Sequence, residues 1–196
     1  MVACQTKPKS SPGSLADGAS PRRHLTTLDK PALLALVKDL YDCGAENRDF
    51  IHARCQTAEN GGEVLEAYRK RIVEQFFSKR ADGVGTLKLG VARKAIRDYR
   101  KATGNLSGTV ELLMTYVENG AEFTQDYGNS DERFYYSLES ALIELAGLLR
   151  SPARDYYPQF SERLARVEHM TDGIGWGFGD FVGDVVWKLE KELDQP

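Results

Sequence analysis

The chain has 196 residues, 41% of them hydrophobic and 28% charged, with a formal net charge of −3. That length suits one domain with a real core, and the absence of any run of about 18 apolar residues predicts no membrane-spanning helix. The acid excess argues against bulk nucleic-acid binding, and three cysteines without a CxxC pair, Cys4, Cys43 and Cys55, suit a reducing compartment, so a cytoplasmic location is expected.

Residues 1–24 are rich in Ser, Pro, Gly, Lys and Arg and read as a flexible tail. Lys7 and Lys9 precede no apolar stretch, so the segment is not a secretory signal. Residues 25–193 read as a single all-helical domain. Thr27 or Asp29 can cap a first helix, Pro31 fits its first turn, and Leu33, Leu34, Val37, Leu40 and Tyr41 mark its buried side. Gly44 ends it. Asn47–Cys55 is a short helix capped by Asn47, and Glu63–Ser78 is a third helix with Val64, Leu65, Tyr68, Ile72, Phe76 and Phe77. Asp82-Gly83-Val84-Gly85 is a turn.

Thr86–Thr103 is the clearest helix. Ala92, Ala95, Ile96, Tyr99 and Ala102 lie toward one side, with Arg93, Lys94, Arg97, Arg100 and Lys101 toward the other. Glu111–Arg150 predicts the central element, two amphipathic helices joined at Tyr127–Ser130 by a tight turn and therefore antiparallel. Gly120 permits close approach of a neighbour, and Ser130 or Asp131 can cap the second helix. Beyond Ser151-Pro152 a helix starts or bends near Pro158. Thr171–Gly179, TDGIGWGFG, alternates glycine with large apolar residues. It reads as a plug over helix ends or as a recognition loop using Trp176. Asp180–Leu193 is the last helix. Seven or eight helices and no convincing strand predict an all-α fold, a bundle that can include stacked antiparallel hairpins.

Charge is uneven. Residues 1–100 hold 18 Lys and Arg against 12 Asp and Glu, net +6, while residues 101–196 hold 8 against 17, net −9. Arg93, Arg97, Arg100 and Lys101 share a helix face that could follow phosphates or an acidic partner. Glu118, Glu122 and Asp126 form an acidic row at steps of four. That row could pair with the basic one, inside the chain or between subunits of a homo-oligomer, or join Asn47, His52 and His169 in a cleft. No HExxH, no P-loop and no triad pattern is present, and no metal or cofactor is expected.

LYDCGAENRDFIHARC, ARKAIRDYRKATG, VENGAEFTQDYGNSDERFYYSLES and TDGIGWGF together resemble a family of uncharacterised bacterial helical proteins, domain of unknown function 6155, over about Leu25–Leu189. The resemblance implies a helical fold and carries no catalytic role. Members commonly have apolar residues where this chain has Cys43 and Cys55, which argues against a metal role for these cysteines, and the polar segment before Leu25 is extra. Two readings follow. One is a non-enzymatic interaction protein that binds a protein or nucleic acid through Arg93, Arg97, Arg100, Lys101 and Trp176. The other is a small enzyme, metal-dependent in one version, with a carboxylate and histidine pocket.

Overall fold

A computed structural model describes residues 19–56, 61–77, 79–80, 83–84, 87–128, 131–175 and 177–193. Its contacts divide the chain into two units, Met1–Arg48 and Asp49–Pro196.

The first unit contains α1, Ala19–Thr27, and α2, Lys30–Cys43, and α3, Ala45–Gln56, begins in it. Residues 19–24, expected as tail, are therefore helical; residues 1–18 lie outside the described residues. Of the two expected caps for α2, Asp29 is the one used: its carboxylate accepts the Ala32 N–H at 2.9 Å. Gly44 ends α2 in an extended conformation. Asn47 does not cap α3. It sits inside that helix, and its side-chain amide donates to the Leu40 carbonyl at 2.8 Å, one of the groups that the end of α2 leaves open. The expected burial of α2 is overturned. None of its residues is buried, and Leu33, Leu34, Val37 and Leu40 are 37%, 60%, 44% and 49% exposed.

The second unit is all-α, built around α6, Leu106–Tyr127. Around it pack α4 (Gly61–Phe76), α5 (Leu89–Thr103), α7 (Glu132–Arg150) and α8 (Tyr157–Thr171), while α9 (Phe178–Leu193) lies against α7 and α8. Asn105 caps α6 by accepting the Gly108 N–H, and Asp131 caps α7 by accepting the Phe134 N–H, both at 2.9 Å. Ser130, the other expected cap, lies outside the described residues. Gly120 leaves room for the Leu138 side chain of α7 against α6, since a Cβ there would overlap the Leu138 methyls. A 3-10 turn, Arg154–Tyr156, precedes α8, and Pro158 sits in the first turn of α8 rather than bending it.

The described residues include one element read only as a turn: Lys79–Arg80 (β1) pairs antiparallel with Gly83–Val84 (β2), a ribbon of two residues per strand. The core is apolar and aromatic. All five residues expected on the inner side of α5 are buried. A succession of rings, Phe77–Phe123–Phe134–Tyr135–Phe178, runs through it at centroid spacings of 6.3, 5.7, 5.3 and 5.2 Å and ties α6, α7 and α9 together. No helix among the described residues is long and apolar enough to cross a membrane.

Candidate functional site

The basic row of α5 is largely engaged within the unit. Arg93 donates to Glu144 Oε2 on α7 at 2.8 Å, and Arg100 lies 3.5 Å from Oε1 of the same carboxylate. The Arg93 guanidinium also stands 5.7 Å from the centre of the Tyr116 ring. Lys101 rests over Phe50, with 5.8 Å from Nζ to the ring centre. Lys94 pairs with Asp98 one turn on, and Arg97 is exposed. One acid on the neighbouring helix thus offsets two of the arginines that could have followed a phosphate backbone.

The acidic row has a different partner from the one expected. Arg163 on α8 takes Glu118 through two parallel bonds, Nε to Oε1 at 2.8 Å and Nη2 to Oε2 at 2.6 Å. Its Nη1 reaches Glu111 Oε2 at 2.7 Å, and Arg69 on α4 takes the other Glu111 oxygen at 2.9 Å. The Glu118 hydrogen bonds, with those of Glu111, raise the pKa of Arg163 further against the opposing effect of burial. Two carboxylates one heptad apart on α6 therefore lock α4 and α8 onto the central helix. Glu122 and Asp126 are exposed and take no part. The proposed side-by-side packing of the α5 and α6 rows is corrected accordingly: arginine on α5 goes to α7, and glutamate on α6 goes to α4 and α8.

The glycine-rich segment closes the α8–α9 corner. Thr171 at the end of α8 is buried, and its hydroxyl donates back to the Val167 carbonyl at 2.9 Å. Gly173 and Gly177 have φ of 71° and 72°, the left-handed region that glycine occupies freely. A Cβ on Gly179 would overlap the Thr171 carbonyl oxygen, so the start of α9 packs backbone to backbone on the end of α8. Phe178 is fully buried against Tyr135. Of this segment Thr171 and Phe178 are buried, while Asp172, Gly173, Gly175 and Gly177 are exposed. Trp176, expected to stack on a partner, lies outside the described residues.

Beside this corner is a recess of about 510 Å³, with Glu168, His169 and Asp172 on one wall and Asp180 and Asp184 on the other. The acids come in two pairs at i, i+4, Glu168 with Asp172 and Asp180 with Asp184, and the tight α8–α9 reversal sets them facing. Lys188 pairs with Asp184. A second recess, about 180 Å³ between α3 and α4, holds His52, Glu63, Tyr68 and the ion pair of Asp49 with Arg71. Burial raises the Tyr68 hydroxyl's pKa. The candidate cleft residues of the second unit do not gather in one place. His52 lines the small recess, His169 the large one, Glu118 belongs to the Arg163 network, and Asn47 bonds the end of α2. Among the described residues no three His, Cys, Asp or Glu side chains are placed to hold a metal ion.

A surface feature that sequence reasoning missed is the exposed apolar side of α2. Leu33, Val37 and Leu40 recur at steps of four and three and so share one face, with Leu34 beside them. All four are exposed. The stripe was legible in the sequence; its exposure was not. Arg163 and Glu144 also went unnoticed, though Glu111 and Glu118 at a step of seven on the most buried helix were a readable sign that cations must reach it.

No protein-family model matches the chain, and no curated protein or solved structure is significantly similar to it. The resemblance to the uncharacterised helical family therefore rests on the motifs quoted above.

Proposed function

We propose that this chain is a non-enzymatic helical interaction protein that binds a protein partner through the apolar face of α2. The observation that carries the reading is that a well-capped helix of 14 residues has four large aliphatic side chains exposed and no buried residue. A helix of that length is marginal in water without packing, and contiguous exposed apolar surface of this kind marks contact sites. A covering partner removes that surface from water and stabilises the helix at once. Protein is favoured over nucleic acid because Arg93 and Arg100 already face Glu144, and the α2 stripe offers nothing to a phosphate. Two exposed free thiols, Cys43 and Cys55, fit the reducing cytoplasm.

The test is site-specific photo-crosslinking in cells that make the full chain, with the reactive group at Leu34 and, as a control, at exposed Glu190. The expected result is a discrete adduct from Leu34, identified by mass spectrometry as this chain joined to a second polypeptide, and lost with Val37→Glu. Crosslinks from Leu34 that stay within a single chain, or match those from Glu190, overturn the reading.

A further inference from the structure

We infer that the recess between α3 and α4 binds a small aliphatic ω-amino acid, its carboxylate inward against Tyr68 and Arg71 and its ammonium outward against Glu63. The inference is independent of the α2 face, and every residue lining the recess belongs to the second unit. It starts from Tyr68, which lines the recess and is only 4% exposed. Its hydroxyl has no hydrogen-bond partner among the described residues, whereas the hydroxyl of buried Tyr116 is bonded to Ser137. A phenylalanine would fill the same place with no polar group to satisfy, so the unpaired hydroxyl points to a group that enters from outside. Burial keeps it protonated and therefore a donor. The Arg71 guanidinium stands 5.1 Å from the centre of the Tyr68 ring and gives one nitrogen, Nη2, to Asp49. Its Nε and Nη1 have no partner among the described residues. Guanidinium and phenol donors thus meet at one end of the recess, and a carboxylate satisfies both.

The rest of the lining sets the other end of the ligand. Ala53, Val64 and Ala67 give an apolar stretch. Beyond it stands Glu63, exposed and without an ion-pair partner among the described residues. Asp49 already offsets Arg71, so a plain carboxylic acid would meet an excess of negative charge, which an ammonium on the same molecule removes. Glu63 and Arg71 lie just over two turns apart on α4, about 12 Å along its axis. The guanidinium reaches back over Tyr68, nearly one turn nearer, which leaves about 7–8 Å. An α-amino acid holds its charges too close together for that gap, and an extended ω-amino acid of six carbons spans it. The volume of about 180 Å³ falls below the roughly 300 Å³ at which pockets for drug-sized ligands begin, so the ligand is a small one.

Isothermal titration of the purified full chain with ε-aminocaproate, caproate and hexylamine tests this. The expected result is saturable binding of ε-aminocaproate, with caproate and hexylamine each weaker by about tenfold or more. Tyr68→Phe should weaken ε-aminocaproate by about tenfold or more. It should leave the urea midpoint of the chain without ligand unchanged, because no internal hydrogen bond is lost. Glu63→Gln, at an exposed position, should bring ε-aminocaproate down to the level of caproate. Absence of saturable ε-aminocaproate binding overturns the inference. So does binding that both variants leave untouched, which puts the ligand elsewhere. Caproate bound as tightly as ε-aminocaproate removes the ammonium contact and with it the ligand class. A lower midpoint for Tyr68→Phe shows that the hydroxyl serves the fold instead. None of these outcomes alters the photo-crosslink at Leu34, so this site and the α2 reading stand or fall separately.

Discussion

Helices α2 and α6 begin alike. Each is opened by a side-chain oxygen, of Asp29 in one and Asn105 in the other, accepting a backbone N–H three residues on at 2.9 Å. Each carries aliphatic residues at steps of three and four. Yet thirteen residues of α6 are buried and none of α2. Capping and periodicity act within a helix and decide that it forms and which side is apolar. What covers that side depends on the rest of the chain, or on another chain. In α6 four helices converge on it, and the apolar side broadens until only the glutamates and a few neighbours reach its edge.

The comparison breaks most sharply on one substitution made twice. Leu113→Ala in α6 empties a site with no exposure and should lower unfolding free energy by about 2–5 kcal/mol. Leu34→Ala in α2, already 60% exposed, should change it by no more than about 0.5 kcal/mol. Urea unfolding of both variants measures the contrast. Equal losses would mean that α2 is packed as firmly as the core.

Charge sharpens the same contrast. Glu111 and Glu118 are only 19% and 25% exposed at the side chain and meet guanidinium groups brought from α4 and α8. Arg163→Leu strands Glu118 in a partly dry place, leaves Glu111 with Arg69 alone, and should cost about 1–3 kcal/mol. Adding Glu118→Leu should recover part of the loss, because an apolar pair removes the stranded charge. A double variant no better than the single would show that Arg163 contributes through its packing on Phe160 instead. The exposed charges of α2 have no such role, and Lys38→Ala should leave the isolated chain within about 0.5 kcal/mol.

The pattern of legibility follows from this. The inner side of α5, Ala92 to Ala102, could be read because alanine, isoleucine and tyrosine recur at the helical period, and all five are buried. The role of Gly120 could be read because a glycine in the middle of an apolar helix implies a close neighbour. The destination of Arg93 could not, since its acid is 51 residues away on α7 and nothing local points there. The same holds for Arg163, 45 residues beyond Glu118. His52 and His169 were grouped only by residue type, and the fold sends them to separate recesses. The α8–α9 recess was half legible, through two acidic pairs at steps of four on either side of a glycine-rich reversal. Glu168, His169 and Asp172 could be read as a cluster, but Asp180 and Asp184 face them only once Gly179 lets the two helices meet backbone to backbone.

The pH dependence of stability separates the two regions as well. Tyr116 lies fully buried in α6, its hydroxyl 2.6 Å from Ser137 Oγ, and burial raises its pKa above the ordinary value of 10.0. Tyr68 and Tyr99, also buried, shift the same way for the same cause. The folded chain therefore favours the neutral phenol. That contribution is fully present below pH 10, where the unfolded chain is also protonated. It is lost as pH rises from there through the raised folded values, because the unfolded chain releases its protons first. Urea midpoints should hold between pH 8 and 9 and fall above pH 10. Tyr116→Phe should cost about 1 kcal/mol at pH 8 through the lost hydrogen bond, and its alkaline decline should be shallower. Parallel declines in the two proteins would assign the effect to lysines. A flatter decline would assign it to the packed side of α6, the kind of surroundings that α2 lacks.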